Sequence, residues 1–197
     1  MKFTRIPTTT FQSLQMNAGV IATAFTPGTG TLDEADILGA TTGGLTVTCV
    51  PEYADMGEDI DNCPKNTKEL KKITGYTVEV NGTLVTINET AAKKLIGAAT
   101  VTSGKITPDM DLDPTDSTGD FGDIWVVGDY SDKNGATKGG FIACHIINAL
   151  STGGFSLVTT DGEKGKFAFT FTGHTSINAQ DTVPFEMYVQ AGTAEPT

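Results

Sequence analysis

The chain is short of basic residues: 13 Lys and Arg stand against 24 Asp and Glu, a formal net charge of −11 over 197 residues. Proteins that grip nucleic acid neutralise phosphates with Lys and Arg, so this balance argues against ordinary DNA or RNA binding. It argues equally against an anionic membrane surface. Long apolar runs are lacking too. No stretch reaches the roughly 20 apolar residues that span a bilayer, and Met1-Lys2-Phe3-Thr4-Arg5 is not followed by the apolar core of an export signal. A soluble cytoplasmic product is expected. Cysteine is scarce and odd in number (Cys49, Cys63, Cys144), with no metal-ligand spacing, which excludes an ordinary disulfide framework. Cys49 and Cys144 lie in apolar runs and read as small core residues.

What is present favours strands. Gly and Thr are abundant, only 19% of residues are charged, and Val, Thr, Ile and Phe recur in short runs. The length suits one domain. Residues 1–44 read as an N-terminal arm and turn-rich connector, 45–190 as a β-sandwich or barrel core, and 191–197 as a tail. Leu45, Val47 and Cys49 alternate with Thr46 and Thr48, a half-buried strand that Pro51 is expected to end. Ala54 to Lys72 is a long polar loop, acidic at its front (Asp55, Glu58, Asp59, Asp61) and basic at its back (Lys65, Lys68, Lys71, Lys72). Its halves can pair in a hairpin or meet complementary halves on a neighbour.

Tyr76, Val78 and Val80 mark another strand. Asn81-Gly82 is a hairpin signal, but a Gly at a bulge or close approach also fits one long strand through Ile87, and the long strand is preferred. Asn88 to Gly97 reads as the one helix, with Asn88 as cap, Glu89 and the Lys93-Lys94 pair placed to suit the helix dipole, and Ala92, Leu95 and Ile96 on one face. Thr102 to Gly122 reads as an acidic linker. Beyond it, five short strands follow at 123–130, 140–148, 154–160, 166–173 and 184–190, separated by turn signals such as Lys133-Asn134-Gly135 and Asp161-Gly162.

Catalytic motifs are not found. His145 alternates with Phe141, Ala143 and Ile147, so it and the adjacent Cys144 face opposite sides of a strand and form no nucleophile and base pair. His174 reads as a satisfied surface histidine. Gly162-Glu163-Lys164-Gly165-Lys166 lacks phosphate-loop spacing and reads as a charged hairpin tip. Asp109, Asp111 and Asp113, with Asp116, Asp120 and Asp123 behind them, are the one candidate calcium set. Pro114 stands where an EF-hand needs Gly and no closing Glu follows, so a solvated acidic loop is expected, with no metal and no cofactor.

Several segments carry a resemblance: Gly57-Glu58-Asp59-Ile60-Asp61-Asn62-Cys63-Pro64-Lys65-Asn66-Thr67-Lys68-Glu69-Leu70, Ala92-Lys93-Lys94-Leu95-Ile96-Gly97-Ala98, Lys105-Ile106-Thr107-Pro108, Val127-Gly128-Asp129-Tyr130-Ser131-Asp132, Gly139-Gly140-Phe141-Ile142-Ala143, Asn148-Ala149-Leu150-Ser151-Thr152-Gly153-Gly154-Phe155 and Ala179-Gln180-Asp181-Thr182-Val183-Pro184-Phe185. In these the chain resembles the major tail tube proteins of long-tailed bacteriophages, particularly those of phages and prophages of Clostridium-like hosts. The resemblance implies a non-enzymatic virion protein with a β-sandwich and one flanking helix, similar to the tube protein of type VI secretion systems. It implies hexameric rings stacked into a tube, assembled in the bacterial cytoplasm. The implied partners are other copies of the chain, a tape-measure protein, and tail terminator and baseplate or tip proteins. Double-stranded DNA would pass through the lumen without specific binding, and no membrane is involved. On this footing Met56, Glu58, Asp59, Ile60, Lys65, Lys68 and Leu70 are expected at ring-to-ring contacts. The turn at Asp161 and Glu163 is expected on the lumen side. Two other readings stand beside it: a different virion or surface β-module (a decoration, baseplate or adhesin domain) that forms no tubes, and a calcium-dependent hydrolase built on the Asp109–Asp123 cluster.

Overall fold

The computed structural model describes residue 10 and residues 14–15, 17–115, 120–130 and 140–192. The architecture is mainly β, with antiparallel strands and, among the described residues, a single α-helix. In chain order the strands are β1 (Val20–Ala22), β2 (Ile37–Gly39), β3 (Thr46–Asp55), β4 (Lys71–Leu84), β5 (Ala99–Thr102), β6 (Lys105–Pro108), β7 (Gly122–Tyr130), β8 (Gly140–Ser151), β9 (Ser156–Val158), β10 (Lys166–Gly173) and β11 (Phe185–Gln190). Helix α1 (Glu89–Ile96) lies between β4 and β5.

One nine-stranded sheet runs β2-β1-β7-β8-β10-β4-β3, and β5 with β6 forms a separate hairpin. Along one side of β8 runs β7, from Gly122 opposite Ala149 to Tyr130 opposite Gly140. The other side is shared: β11 takes Phe141–Ile146 and β10 takes Ala149–Ser151. In the same way β10 carries β4 on one side, and β8 and then β9 on the other. Thus β11 and β9 lengthen the lines of β10 and β8. The sheet curls. Backbone bonds from Thr42 N to Thr83 O and from Val85 N to Ala40 O bring the chain after β2 onto the end of β4, the strand next to last in the order, without forming a closed barrel.

Strand alternation sends Ile21, Val78, Val80, Leu84, Ile124, Val126, Ile146, Phe169 and Phe171 into the concave side, where they form the main core. Helix α1 covers one end with Ala91 and Leu95, and Ser151 Oγ donates to Leu95 O at 2.8 Å. A second cluster lies on the convex side. Phe25 packs there against Trp125 and Phe141 (centroids 5.6 and 5.0 Å), pinning the connector over β7 and β8 with Ala22 and Ala143.

Several expectations are corrected. Pro51 does not end its strand, because β3 is the last strand in the sheet order and its outward backbone needs no ladder partner. The linker expected from Thr102 begins as the β5–β6 hairpin, turning at Ser103 and Gly104, both at positive φ. On α1 the fully buried residues are Ala91 and Leu95, while Ala92 and Ile96 are half-buried. The helix itself stands as expected: Asn88 Oδ1 accepts from Ala91 N at 2.7 Å and Gly97 takes φ 89°. Most of the expected arm before residue 14, the turn at Lys133-Asn134-Gly135 and tail residues 193–197 lie outside the described residues.

β4 does run on through Asn81-Gly82 as preferred, although it ends at Leu84 rather than Ile87, and the reason it passes Gly82 is packing. A Cβ on Gly82 would lie 2.6 Å from Leu45 Cδ2 and 2.7 Å from Phe169 Cζ. Only Gly lets the Phe169 ring cross that strand. Replacing Gly82 with Val therefore overpacks the core and is expected to cost about 1–3 kcal/mol. Asn88→Ala removes the helix cap and should cost about 1 kcal/mol. Urea unfolding of both variants checks these values, and an unshifted midpoint for Gly82→Val would refute the packing argument.

Candidate assembly surface

An extended exposed feature grows out of β3 and β4, with Ile73–Tyr76 facing the 180–184 segment across a cleft. β10 pairs with β4 only from Glu79 to Leu84, so between Lys71 and Thr77 β4 has β3 as its sole ladder partner among the described residues. Past the Val50–Thr77 pair the two strands form a ribbon that leaves the core. Two-stranded ribbons are marginal in water, and this one carries apolar groups outward: Val50 and Tyr53 are 53% and 59% exposed, and Ile73 and Tyr76 are also exposed. The register shifts between Glu52 and Tyr53, a bulge that re-aims the outer half of the ribbon. Thr77 Oγ1 bonds Glu52 across it at 2.9 Å, and Lys71 Nζ lies 5.9 Å from the Tyr53 ring.

The polar loop expected over residues 54–72 is shorter than that. The strands run to Asp55 and resume at Lys71, so the acidic and basic halves do meet as a hairpin, Ala54 opposite Lys72 and Asp55 opposite Lys71. The Asp55 carboxylate organises the tip, accepting from Gly57 N and Asn66 N at 3.1 Å each. Of the expected contact residues, Met56, Glu58, Asp59, Ile60, Lys65 and Lys68 are exposed, whereas Leu70 is half-buried. The Leu70 side chain and Cys63 Sγ both close on Gly57, leaving no room for a Cβ there. Leu70 thus serves the loop's own packing, while Met56 and Ile60 face outward.

Other edges are also bare. Among the described residues β11 pairs only with β8, leaving Met187 and Val189 exposed, and β9 pairs only with β10, leaving Leu157 and Val158 exposed. Asp161 and Glu163 sit in the exposed turn between β9 and β10, where Glu163 pairs with Lys166 at 3.3 Å, reducing the negative charge expected there.

The acidic segment does not gather into a cation site. Asp109 caps its own chain, accepting from Met110 N, Asp111 N and Thr100 Oγ1, while Asp113 N donates to Asp120 and Asp113 accepts from Thr115. Among the described residues no three His, Cys, Asp or Glu side chains converge as metal ligands; Asp116 lies outside them.

A polar cluster that the sequence does not announce lies on the convex face. His145 on β8 places Nε2 2.9 Å from Asp123 Oδ2 on β7 and Nδ1 3.3 Å from Glu186 Oε2 on β11, with its ring stacked on Trp125 at 3.9 Å and 7°. Both nitrogens are engaged, so neither is open to a substrate. Cys144 faces the main core on the other side, as alternation requires. His174 bonds the backbone of Asn148 and packs edge-on against Phe121. The signal for the cluster is present only as three polar residues in separate strands; their meeting depends on register.

All three cysteines are free thiols. Burial pushes the Cys49 and Cys144 thiols upward, so both are slow nucleophiles at neutral pH. Alkylation of the unreduced, denatured protein should modify Cys49, Cys63 and Cys144 alike by mass spectrometry; a disulfide pair would contradict this. In comparisons with known proteins, no family model and no curated protein matches the chain.

Proposed function

We propose that the chain is a non-enzymatic structural protein of a phage-like tail, self-assembling into stacked hexameric rings that form a tube. The observation that carries this reading is the apolar ribbon of β3 and β4. Val50 on one face and Tyr76 on the other, with Tyr53, Ile73 and the tip residues Met56 and Ile60, leave both faces of a projecting strand pair with exposed apolar surface. Such a surface is costly on a monomer and marks an interaction site. The edges of β3, β9 and β11 that are unpaired among the described residues support it further, since a ring pairs each edge with a neighbour and leaves none open. In this reading the sandwich-like curl of the sheet is the tube wall, the ribbon and its loop reach the next ring, and the tape-measure, terminator and tip proteins are the other partners.

The net charge of −11 fits a conduit for DNA. Each Lys–phosphate contact is favourable at physiological salt, so a basic wall would retain the genome. An acidic wall repels it over a screening length of about 8 Å.

At high protein concentration, tubes or hexameric rings are expected under the electron microscope. A monomer by light scattering at the same concentration, with no tubes, would overturn the reading in favour of a β-module that does not polymerise. Deleting residues 57–68 should leave a folded β-protein that forms no long tubes, and normal tubes from that deletion would show the loop to be dispensable.

A further inference from the structure

The convex-face cluster stands apart from the tube reading and joins three strands. Asp123 comes from β7, His145 from β8, and Glu186 and Tyr188 from β11. We propose that doubly protonated His145 is a catch that holds the C-terminal strand β11 against β8, and that losing one ring proton loosens β11 while β7 stays in place.

The reason is the proton inventory of imidazole. The cation donates from both nitrogens, whereas the neutral ring keeps one N–H and turns a lone pair outward at the other. With a carboxylate at each nitrogen, the neutral ring must present that lone pair to one of them. Asp123 has the stronger claim on the remaining proton. Its bond is shorter, and its other oxygen is fixed by Asn148 N at 3.2 Å. Nδ1 is then the bare nitrogen, facing Glu186 acceptor to acceptor. Glu186 cannot easily turn away, because Tyr188 OH, on the same strand, donates to the same oxygen at 2.6 Å. Nor is the imidazole free to tilt, with Trp125 stacked on its face. The repulsion therefore acts between β8 and β11.

The two flanking strands respond differently. β7 is held by β8 on one side and β1 on the other. β11 has six residues and β8 as its only partner among the described residues. Among the described residues the titratable groups at the cluster are Asp123, Glu186 and the neutral Tyr188 hydroxyl, with Lys94 of α1 acting on Asp123. Burial pulls His145 down, but its bonds to Asp123 and Glu186 outweigh that and hold it above its ordinary 6.5. Asp123 is held low chiefly by the His145 bond, and Glu186 by the Tyr188 hydroxyl and then His145. A raised histidine stabilises the closed form below its unfolded pKa and ceases to as pH rises through the folded value; lowered carboxylates stabilise above theirs and fail as pH falls. The catch is thus set between the carboxylate range and the raised value of His145.

The lone tryptophan is the reporter. A stacked imidazolium quenches indole emission, so Trp125 fluorescence follows His145 directly. The experiment titrates the unassembled full-length chain from about pH 5 to 9, a span that brackets histidine, and measures amide exchange at each point, corrected for the intrinsic rate. Emission should rise with a midpoint above 6.5. β11 protection should fall about tenfold per pH unit between the ordinary histidine value and that midpoint and level off above it, with β7 amides unchanged. Glu186 is half-exposed, and in Glu186→Gln the neutral amide can donate to a bare Nδ1 or accept from a protonated one. That variant should keep β11 protection level across the range. A midpoint at or below 6.5, wild-type β11 protection independent of pH, or an equal fall in Glu186→Gln would each overturn the proposal.

Discussion

Along β8 the backbone changes partners, and the rest of the architecture follows from how that change is accommodated. Up to Ile146 one edge of the strand belongs to β11, and from Ala149 it belongs to β10. Between them Asn148 takes φ 49°, a left-handed conformation that Asn tolerates better than most residues. The kink leaves its polar groups needing partners, and they have them. Asp123 Oδ1 accepts from Asn148 N, and the side-chain amide and carbonyl of Asn148 bond across to His174. Opposite, β7 skips register between Gly122 and Ile124. The two irregularities keep Ile146 and Ala149 both facing the core despite the odd spacing between them. Without this bend the sheet would lie flatter, and β4 could not return to enclose Phe169 and Phe171.

That same bend links the main core to the convex face. Asp123 supports Asn148 with one oxygen and His145 with the other. The polar cluster is therefore no accessory to the fold: one carboxylate serves both the curvature of the sheet and the attachment of its last strand.

How much of this was legible varies with the physics of each element. The strand 166–173 was readable to the residue, because Phe167, Phe169 and Phe171 alternate with the small or polar Lys166, Ala168, Thr170 and Thr172. Helix α1 was readable from its Asn cap and Gly stop. Pro51 misled because a sequence does not declare which strand is an edge, and proline is forbidden only where a neighbour needs the missing N–H. β1 and β2 are three residues each, too short for any period to register, and are held by the tertiary burial of Ile21 and Leu38. The hairpin of β5 and β6 did carry a signal in Ser103-Gly104, overshadowed by the acidic run behind it. The surface residues of the loop were readable as a group, but Leu70's inward role depends on Gly57 and Cys63 meeting it in space. The His145 cluster was out of reach, since its partners lie 22 and 41 residues away in sequence.

The length of β4 has a mechanical consequence. Its 14 residues run from the exposed ribbon into the core, bent once where Thr74 bulges out of the ladder opposite Glu52 and Tyr53. At roughly 3.4 Å per residue that is close to 50 Å of strand. Val78 and Val80, both fully buried, mark the place where the strand enters the body of the molecule. The ribbon is thus one arm of a lever with its fulcrum at Val78, but a load on Tyr53 or Ile73 must cross the bulge at Thr74 before it reaches the packing around Phe169 and Phe171. The joint in the arm decides how much of that load the core feels.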